Sequence, residues 1–310
     1  MSASYQGHYI NLKDSVDRDE FMQQQFANMQ VQAYYSRFEA IAIGEKPAVI
    51  PVGTFAPREK GCLASHIRLL EQNTHSNKHL HILEDDVILW QHHHLLLERI
   101  LSHMSDEWDI IYTGYTLIEF EANRYEVLTK IYKQLHEGEK HSLSVIALDN
   151  IDILGAFSYV INRASINKVY EIVKESNHPI DVLYQKASKD NLIKSFAIAP
   201  SIAKHASKFP STVRKEHNSK AYYVQCLYQE LFYITANMEH IRSLFLAHLA
   251  KFNIRTDEVE PTFISLSQAM FKVLYSSKRR PNSPEKHSVI IENVSRSNLS
   301  LSHHDKFVSR

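Results

Sequence analysis

Cysteine and long apolar runs are both scarce in this sequence. There are two cysteines in 310 residues, Cys62 and Cys226, and neither belongs to a Cys-Xaa-Xaa-Cys pair. The sequence therefore indicates neither a disulfide framework nor a zinc knuckle, and it favours a reducing compartment. No segment approaches the roughly 20 uninterrupted apolar residues that a membrane-spanning helix requires. Any contact with a membrane is expected to be peripheral.

An excess of charge of either sign is also missing. Lysine and arginine together number 35, and so do aspartate and glutamate. Because no net positive field is available to attract phosphate groups, a nucleic-acid partner is not expected. The first eight residues are polar and lack the basic start and apolar core of a secretory signal. We therefore expect a cytoplasmic protein.

Apolar periodicity predicts alternating strands and helices over the first two thirds of the chain. Strands are predicted at residues 8–12, 35–43, 79–83, 108–113, 144–148 and 156–161, and helices at 59–73, 95–104 and 164–174. This alternation predicts an α/β domain with a mostly parallel central sheet.

The character of the sequence changes near residue 219, where apolar residues begin to recur at helical spacing. We predict a nucleotide-binding domain over residues 1–215, a C-terminal helical extension over 216–280 and a polar, poorly ordered tail over 281–310. A short strand is predicted within the tail, at residues 288–292.

The sharpest chemical feature is an apolar strand that ends in three consecutive carboxylates, Glu84, Asp85 and Asp86. Ligands of open α/β sheets bind at the carboxyl ends of strands, and carboxylate oxygens are preferred ligands of Mg²⁺ and Mn²⁺. If the strand continues, Glu84 and Asp86 share one face, towards a metal and a ribose, while Asp85 points the other way. The alternative interpretation is a solvated turn that follows a strand.

Five segments occur in an order and at a spacing that resemble glycosyltransferase family 25. They read YINL at 9–12 with Arg18 following, KGCLASH at 60–66, ILEDDV at 82–87, LGAFSYVI at 154–161 and PID at 179–181. The family includes bacterial lipooligosaccharide galactosyltransferases and collagen hydroxylysine galactosyltransferases. The resemblance spans most of the first 215 residues.

The resemblance implies a GT-A type fold and an inverting transfer of a sugar, usually galactose, from a uridine diphosphate (UDP) sugar. It also implies a Mn²⁺ cofactor, or Mg²⁺, which would neutralise the diphosphate leaving group. The acceptor would be a saccharide of the lipopolysaccharide or lipooligosaccharide type. The basic stretch KRR at 278–280 could contact anionic lipid head groups at the inner face of the cytoplasmic membrane, which would suit a lipid-linked acceptor. The alternative is a solvated tail.

The family's functional residues can be carried over to matching positions of this sequence. The resemblance implies a nucleotide-sugar-binding set of Asn11, Leu12, Arg18, Ser65, His66, Glu84, Asp85 and Gly155, metal ligands Glu84, Asp86 and His205, and Asp181 as general base. It also implies that a charged loop over residues 119–142 shapes the choice of acceptor.

Several of these residues have a plainer alternative role. His66 could be a structural histidine under the sheet instead of a donor to a ribose or sugar hydroxyl. Asp181 could be only a helix N-cap, and Gly155 could serve a tight turn. A rival function is a degenerate transferase that binds a saccharide or a partner without turnover, although the intact acidic run argues against it.

Overall fold

The computed structural model describes residues 4–42, 57–117, 143–148, 153–176, 178–206, 208–209, 229–230, 233–234 and 289–291. The predicted acceptor-side loop, nearly all of the predicted helical extension and most of the predicted tail lie outside these residues. The division of the chain at residues 215 and 280 therefore stays a prediction.

A mixed eight-stranded sheet forms the centre of the described chain. Its strands are β1 (Tyr5–Asn11), β2 (Tyr35–Glu39), β3 (His79–Glu84), β5 (Ile110–Leu117), β6 (Leu143–Ala147), β7 (Ile153–Ile161), β8 (Ser195–Ala199) and β10 (Val289–Ile291). Their order across the sheet is β10-β6-β8-β5-β7-β3-β1-β2. Two further strands, β4 (Val87–Leu89) and β9 (Ala203–His205), pair with each other in a small second sheet.

Most strands of the large sheet point the same way, as expected, but two do not. Strand β1 is parallel to β2 and β3, and β5 is parallel to β8. Strand β7 lies antiparallel between β3 and β5, and β6 lies antiparallel to β8. A strand buried on both faces has the same apolar sequence in either direction, so the pattern predicted β7 without predicting its orientation. The short strand predicted in the tail is confirmed as β10, which pairs with β6.

Helices cover both faces of the sheet. In the described chain these are α1 (Val16–Met29), α2 (Pro57–Asn73), α3 (His93–His103), α4 (Ile166–Val173) and α5 (Ile180–Lys189). Buried residues of α2, α4 and α5 form one apolar core with one face of the sheet, and those of α1 and α3 form a second core on the other. None of these helices is long and apolar enough to cross a bilayer.

Alternation along β3 decides which residues reach each core. Leu80 and Ile82 face the core shared with α2, whereas Leu83 faces the core shared with α1 and α3. Since successive side chains of a strand point to opposite faces, Glu84 emerges on the same side as Ile82, next to α2. By the same rule Asn11, two residues after Tyr9, emerges on the side of α1.

The aromatic contact between α1 and the sheet gives a test of this packing. The Phe26 ring is fully buried and stacks on the Tyr35 ring, with centroids 4.4 Å apart and planes 5° apart. We expect Phe26→Ala to lower the free energy of unfolding by about 3–5 kcal/mol, because it leaves a cavity between α1 and β2. Urea unfolding measures this loss. The control Leu95→Ala changes an exposed helical residue and should cost less than about 0.5 kcal/mol. A similar small loss for Phe26→Ala would contradict the packing.

Candidate functional site

The acidic run lies at the carboxyl edge of the sheet, where β1 and β3 end side by side. Ile10 pairs with Glu84 in the last register position of these strands, so Asn11 and Glu84 are neighbours across the edge. The chain then turns at Asp85 and Asp86 and enters β4. Because β4 pairs with β9 and sets Val87 opposite His205, the turn carries its acids towards that histidine.

Asp85 and Asp86 are paired with a buried arginine at the start of α1. Arg18 Nη1 donates to Asp85 Oδ1 at 2.7 Å and to Asp86 Oδ2 at 3.2 Å. Asn11 Nδ2 donates to the other oxygen of Asp85 at 2.7 Å and to the Ser15 carbonyl at 3.1 Å. Burial raises the pKa of Asp85, and Arg18 and Asn11 offset part of that rise. The network therefore fixes the conformation of the acidic turn.

Glu84 and the second carboxylate oxygen of Asp86 lie near His205. One ligand atom each of Glu84, Asp86 and His205 lies within 4.8 Å of the others, and His205 Nδ1 donates to Asp86 Oδ1 at 3.2 Å. Burial alone would raise the pKa of Asp86, but His205 and Arg18 outweigh it and lower that pKa. Burial raises the pKa of Glu84, and repulsion from Asp86 raises it further. The group offers two carboxylates and an imidazole to a cation.

His205 is held in place by residues that the sequence interpretation did not single out. Its backbone N–H donates to Gln229 Oε1 at 3.2 Å, and Gln229 Nε2 donates to Thr116 Oγ1 at 2.6 Å. The Phe157 ring centroid lies 4.0 Å from that of His205. Gln229 follows His205 by 24 residues, inside the predicted helical extension. No spacing or motif in the sequence points to it.

His66 lies on the α2 side of Glu84 and belongs to a second group of ligand atoms. Cys62, His66 and Glu84 each place one such atom within 4.8 Å of the others. His66 Nδ1 is 2.8 Å from the Tyr159 hydroxyl, and its buried Nε2 has no hydrogen-bond partner in the described part of the chain. Burial lowers the pKa of His66 to about 4, so the ring is neutral at physiological pH.

Two of the predicted binding residues are engaged by the backbone. The Ser65 hydroxyl donates to the Gly61 carbonyl at 2.7 Å and accepts from the Ile41 N–H at 2.9 Å. The Leu12 carbonyl accepts from Ser15 N at 3.0 Å, which closes the turn before α1. Both residues shape segments at the edge of the site.

Gly155 and Asp181 border the site from two other elements. Gly155 has a φ of +96°, and an added Cβ would lie 2.9 Å from the Phe157 ring, the same ring that contacts His205. Asp181 lies in the first turn of α5, whose N-cap position is Pro179, and its Oδ1 accepts from Val182 N at 2.8 Å. The charge of Asp181 makes a smaller contribution to the raised pKa of Glu84, so Asp181 acts on that carboxyl group electrostatically.

A cationic and aromatic border closes the α1 side of the site. Lys208 Nζ lies 4.0 Å from the Phe21 ring centroid and 4.7 Å from that of Phe209. The Arg18 guanidinium carbon lies 5.3 Å from the same Phe209 ring. Lys208, which lies three residues after the end of β9, is a second residue that the sequence interpretation did not include.

The family model described as glycosyltransferase family 25 (LPS biosynthesis protein) matches residues 6–184, more than half of the chain. The chain belongs to glycosyltransferase family 25. No curated protein matches it. Membership identifies this family 25 protein as a glycosyltransferase of lipopolysaccharide biosynthesis, with a nucleotide-sugar donor and a saccharide acceptor. Asn11, Arg18, the acidic run and Asp181 lie within the matched range, whereas His205 lies beyond it.

The buried ion pair gives a second prediction. We expect Arg18→Met to lower the free energy of unfolding by about 3–5 kcal/mol, because it leaves Asp85 and Asp86 buried without their cation. Urea unfolding at pH 7 measures the loss, and adding Asp85→Asn should restore at least about 1 kcal/mol of it.

The matched control for this ion pair is Arg68→Met. Arg68 pairs with Glu71 on the surface of α2, so its loss should cost less than about 1 kcal/mol. Equal effects of the two arginine variants would show that Arg18 does not hold the acidic turn.

Proposed function

We propose that this family 25 transferase moves galactose from UDP-galactose to a saccharide acceptor with inversion at the anomeric carbon, on a GT-A type fold, with Mn²⁺ or Mg²⁺ as cofactor. The observation that carries the proposal is the convergence of Glu84, Asp86 and His205 within 4.8 Å at the carboxyl end of β3. The proposed acceptor is a lipid-linked lipopolysaccharide precursor, reached by peripheral contact with the inner face of the cytoplasmic membrane.

The donor set of this cluster fits a divalent cation. Carboxylate oxygens suit Mg²⁺ and Mn²⁺, and an imidazole suits the transition metals, so the combination favours Mn²⁺. Glu84, Asp86 and His205 would hold the cation and leave further coordination positions to phosphate oxygens and water. A cation bound there would neutralise the charge that develops on the diphosphate leaving group. Burial and repulsion from Asp86 raise the pKa of Glu84, and a cation bound between the two carboxylates would offset that repulsion.

A buried oxygen of Asn11 supports a nucleotide-binding site on the α1 side of the cluster. The Asn11 side chain is fully buried, yet its Oδ1 has no hydrogen-bond partner among the residues that the structure describes. Buried polar atoms are nearly always paired, so we propose that this oxygen accepts from the base or ribose of the donor. Lys208 lies on the same side and would contact a phosphate. Arg18 would contribute by holding the acidic turn and by its charge.

Transfer requires a base that takes the proton of the acceptor hydroxyl, and a candidate lies on the side of α2 and α5. Asp181 is half-buried in the first turn of α5, and its charge contributes to the raised pKa of Glu84. We propose that Asp181 takes this proton while the acceptor oxygen attacks the anomeric carbon. The bond from that carbon to the diphosphate breaks, and its electron pair leaves with UDP. Attack opposite the leaving group inverts the anomeric configuration.

The metal cluster is tested by Asp86→Asn, which removes one charge and keeps the side-chain shape. We expect transfer from UDP-galactose in Mn²⁺ to fall by about 100-fold or more, because several kcal/mol of leaving-group stabilisation are lost. Release of UDP measures the rate. The thermal stabilisation of the protein by UDP with Mn²⁺ should be lost in the same variant.

The matched control is Asp106→Asn, which changes an exposed aspartate before β5 and should leave both readouts unchanged. Full activity of the wild type in a chelator would contradict the metal. A wild type that releases no UDP from any UDP-sugar and is not stabilised by UDP with Mn²⁺ would favour the degenerate binding module.

The proposed base is tested by Asp181→Asn. We expect transfer to fall by about 10²–10⁴-fold, the usual contribution of a positioned general base, while stabilisation by UDP with Mn²⁺ stays within the error of the wild type. The control Asp190→Asn changes an exposed aspartate at the other end of α5. Transfer within about threefold of the wild type in Asp181→Asn would contradict the assignment.

A further inference from the structure

The second group of ligand atoms, on the α2 side of Glu84, differs in chemistry from the first. Cys62 and His66 are four residues apart in α2, so their side chains project from the same face of the helix. That face meets the end of β3, and Cys62 Sγ, a ring nitrogen of His66 and a carboxylate oxygen of Glu84 lie within 4.8 Å of one another. A sulfur, a nitrogen and an oxygen therefore converge on one point.

His66 is prepared to act as a ligand at this point. Its Nδ1 is hydrogen-bonded to the Tyr159 hydroxyl at 2.8 Å, and that hydroxyl lies 3.3 Å from the Tyr184 hydroxyl. Metal-binding histidines usually use one ring nitrogen for such a contact and the other for the metal. Nε2 of His66 is fully buried and has no hydrogen-bond partner within the described residues. A bound cation would satisfy it.

We propose that Cys62, His66 and Glu84 form a second cation site, selective for a thiophilic ion such as Zn²⁺, and that occupation of this site inhibits sugar transfer. Thiolate and imidazole ligands select Zn²⁺ over Mn²⁺ and Mg²⁺. Three protein ligands leave a fourth tetrahedral position for water. The partly exposed Cys62 and Glu84 give an ion access from solvent.

The geometry requires only a small adjustment. Ligands about 2.0–2.3 Å from a tetrahedral Zn²⁺ lie roughly 3.3–3.7 Å from one another. Side chains that are already within 4.8 Å of one another must approach by no more than about 1.5 Å. Binding converts the Cys62 thiol to a thiolate, and the proton passes to solvent. Burial raises the pKa of the Cys62 thiol, and the charges of Glu84, Asp181 and Asp86 raise it further. The same negative charges would attract the ion.

Inhibition follows from the carboxylate that the two groups share. Glu84 is a member of both the Cys62 group and the proposed donor-site group with Asp86 and His205. An ion held by Cys62 and His66 would draw this carboxylate towards α2 and leave the donor-site cation with one carboxylate fewer. This second half of the proposal rests on the proposed function, whereas the existence of the site does not.

The existence of the site is tested by absorption spectroscopy with Co²⁺, which replaces Zn²⁺ and gives a sulfur-to-metal charge-transfer band only when a thiolate binds it. We expect the full-length chain to show this band with one equivalent of Co²⁺ and to lose it when Zn²⁺ is added. Cys62→Ser should lack the band, and the matched control Cys226→Ser should keep it. Absence of the band in the wild type, or its loss in Cys226→Ser alone, would overturn the site.

The inhibitory effect is tested by titrating Zn²⁺ into the transfer assay with excess Mn²⁺. We expect Cys62→Ser to keep its rate in Mn²⁺ and to need at least about tenfold more Zn²⁺ for half inhibition than the wild type. Cys62→Ala serves as a second variant if the serine destabilises α2. Equal sensitivity of wild type and variants would overturn the inhibition. If the wild type transfers no sugar, the proposed function fails, and the Co²⁺ band still decides whether the site exists.

Discussion

The buried pair of Arg18 with Asp85 and Asp86 is the interaction on which the site depends. Three consecutive carboxylates at the end of a buried strand repel one another, and burial without compensation would cost far more than a domain can tolerate. Arg18 and Asn11 compensate one side of the turn, with donor–acceptor distances of 2.7 Å to Asp85. Since both oxygens of Asp85 accept these bonds, Glu84 and the Oδ1 atom of Asp86, which contacts His205, are left for a ligand at the edge of the sheet.

The same turn divides the carboxylates between two kinds of neighbour. Period-two alternation along β3 brings Glu84 out beside α2, where Cys62 and His66 lie, and the turn brings Asp86 to His205 on β9. Glu84 therefore lies between two pairs of ligands. Cys62 and His66 suit a thiophilic ion, whereas Asp86 and His205 suit a harder cation. Which ion occupies the edge would then depend on whether sulfur or a second carboxylate completes the coordination.

Part of this arrangement could be predicted from the sequence, and there are physical reasons why the rest could not. The acidic run and its strand could be predicted because apolar periodicity and a strand end are local signals. Arg18 was expected next to the nucleotide from the family resemblance, and its pairing with Asp85 and Asp86 was not predicted. The antiparallel direction of β7 could not, since a strand buried on both faces carries no directional pattern. The three-residue strand β9 is too short to show a period, although His205 was expected at the site from the family resemblance. Gln229 depends on a contact with Thr116 across 113 residues, which no local pattern encodes.

The segment beyond residue 205 also bears on where the functional unit ends. The family match stops at residue 184, yet His205 and its backbone partner Gln229 lie later. Lys204 Nζ donates to the Glu230 carboxylate at 2.7 and 2.6 Å and lies 4.6 Å from the Tyr233 ring centroid. The predicted domain boundary at residue 215 thus separates residues that contact each other. These contacts support β9, which carries His205 next to Asp86. Gln229, Glu230 and Tyr233 therefore act as part of the site's framework. A chain cut at residue 215 would retain the acids without this support for their histidine.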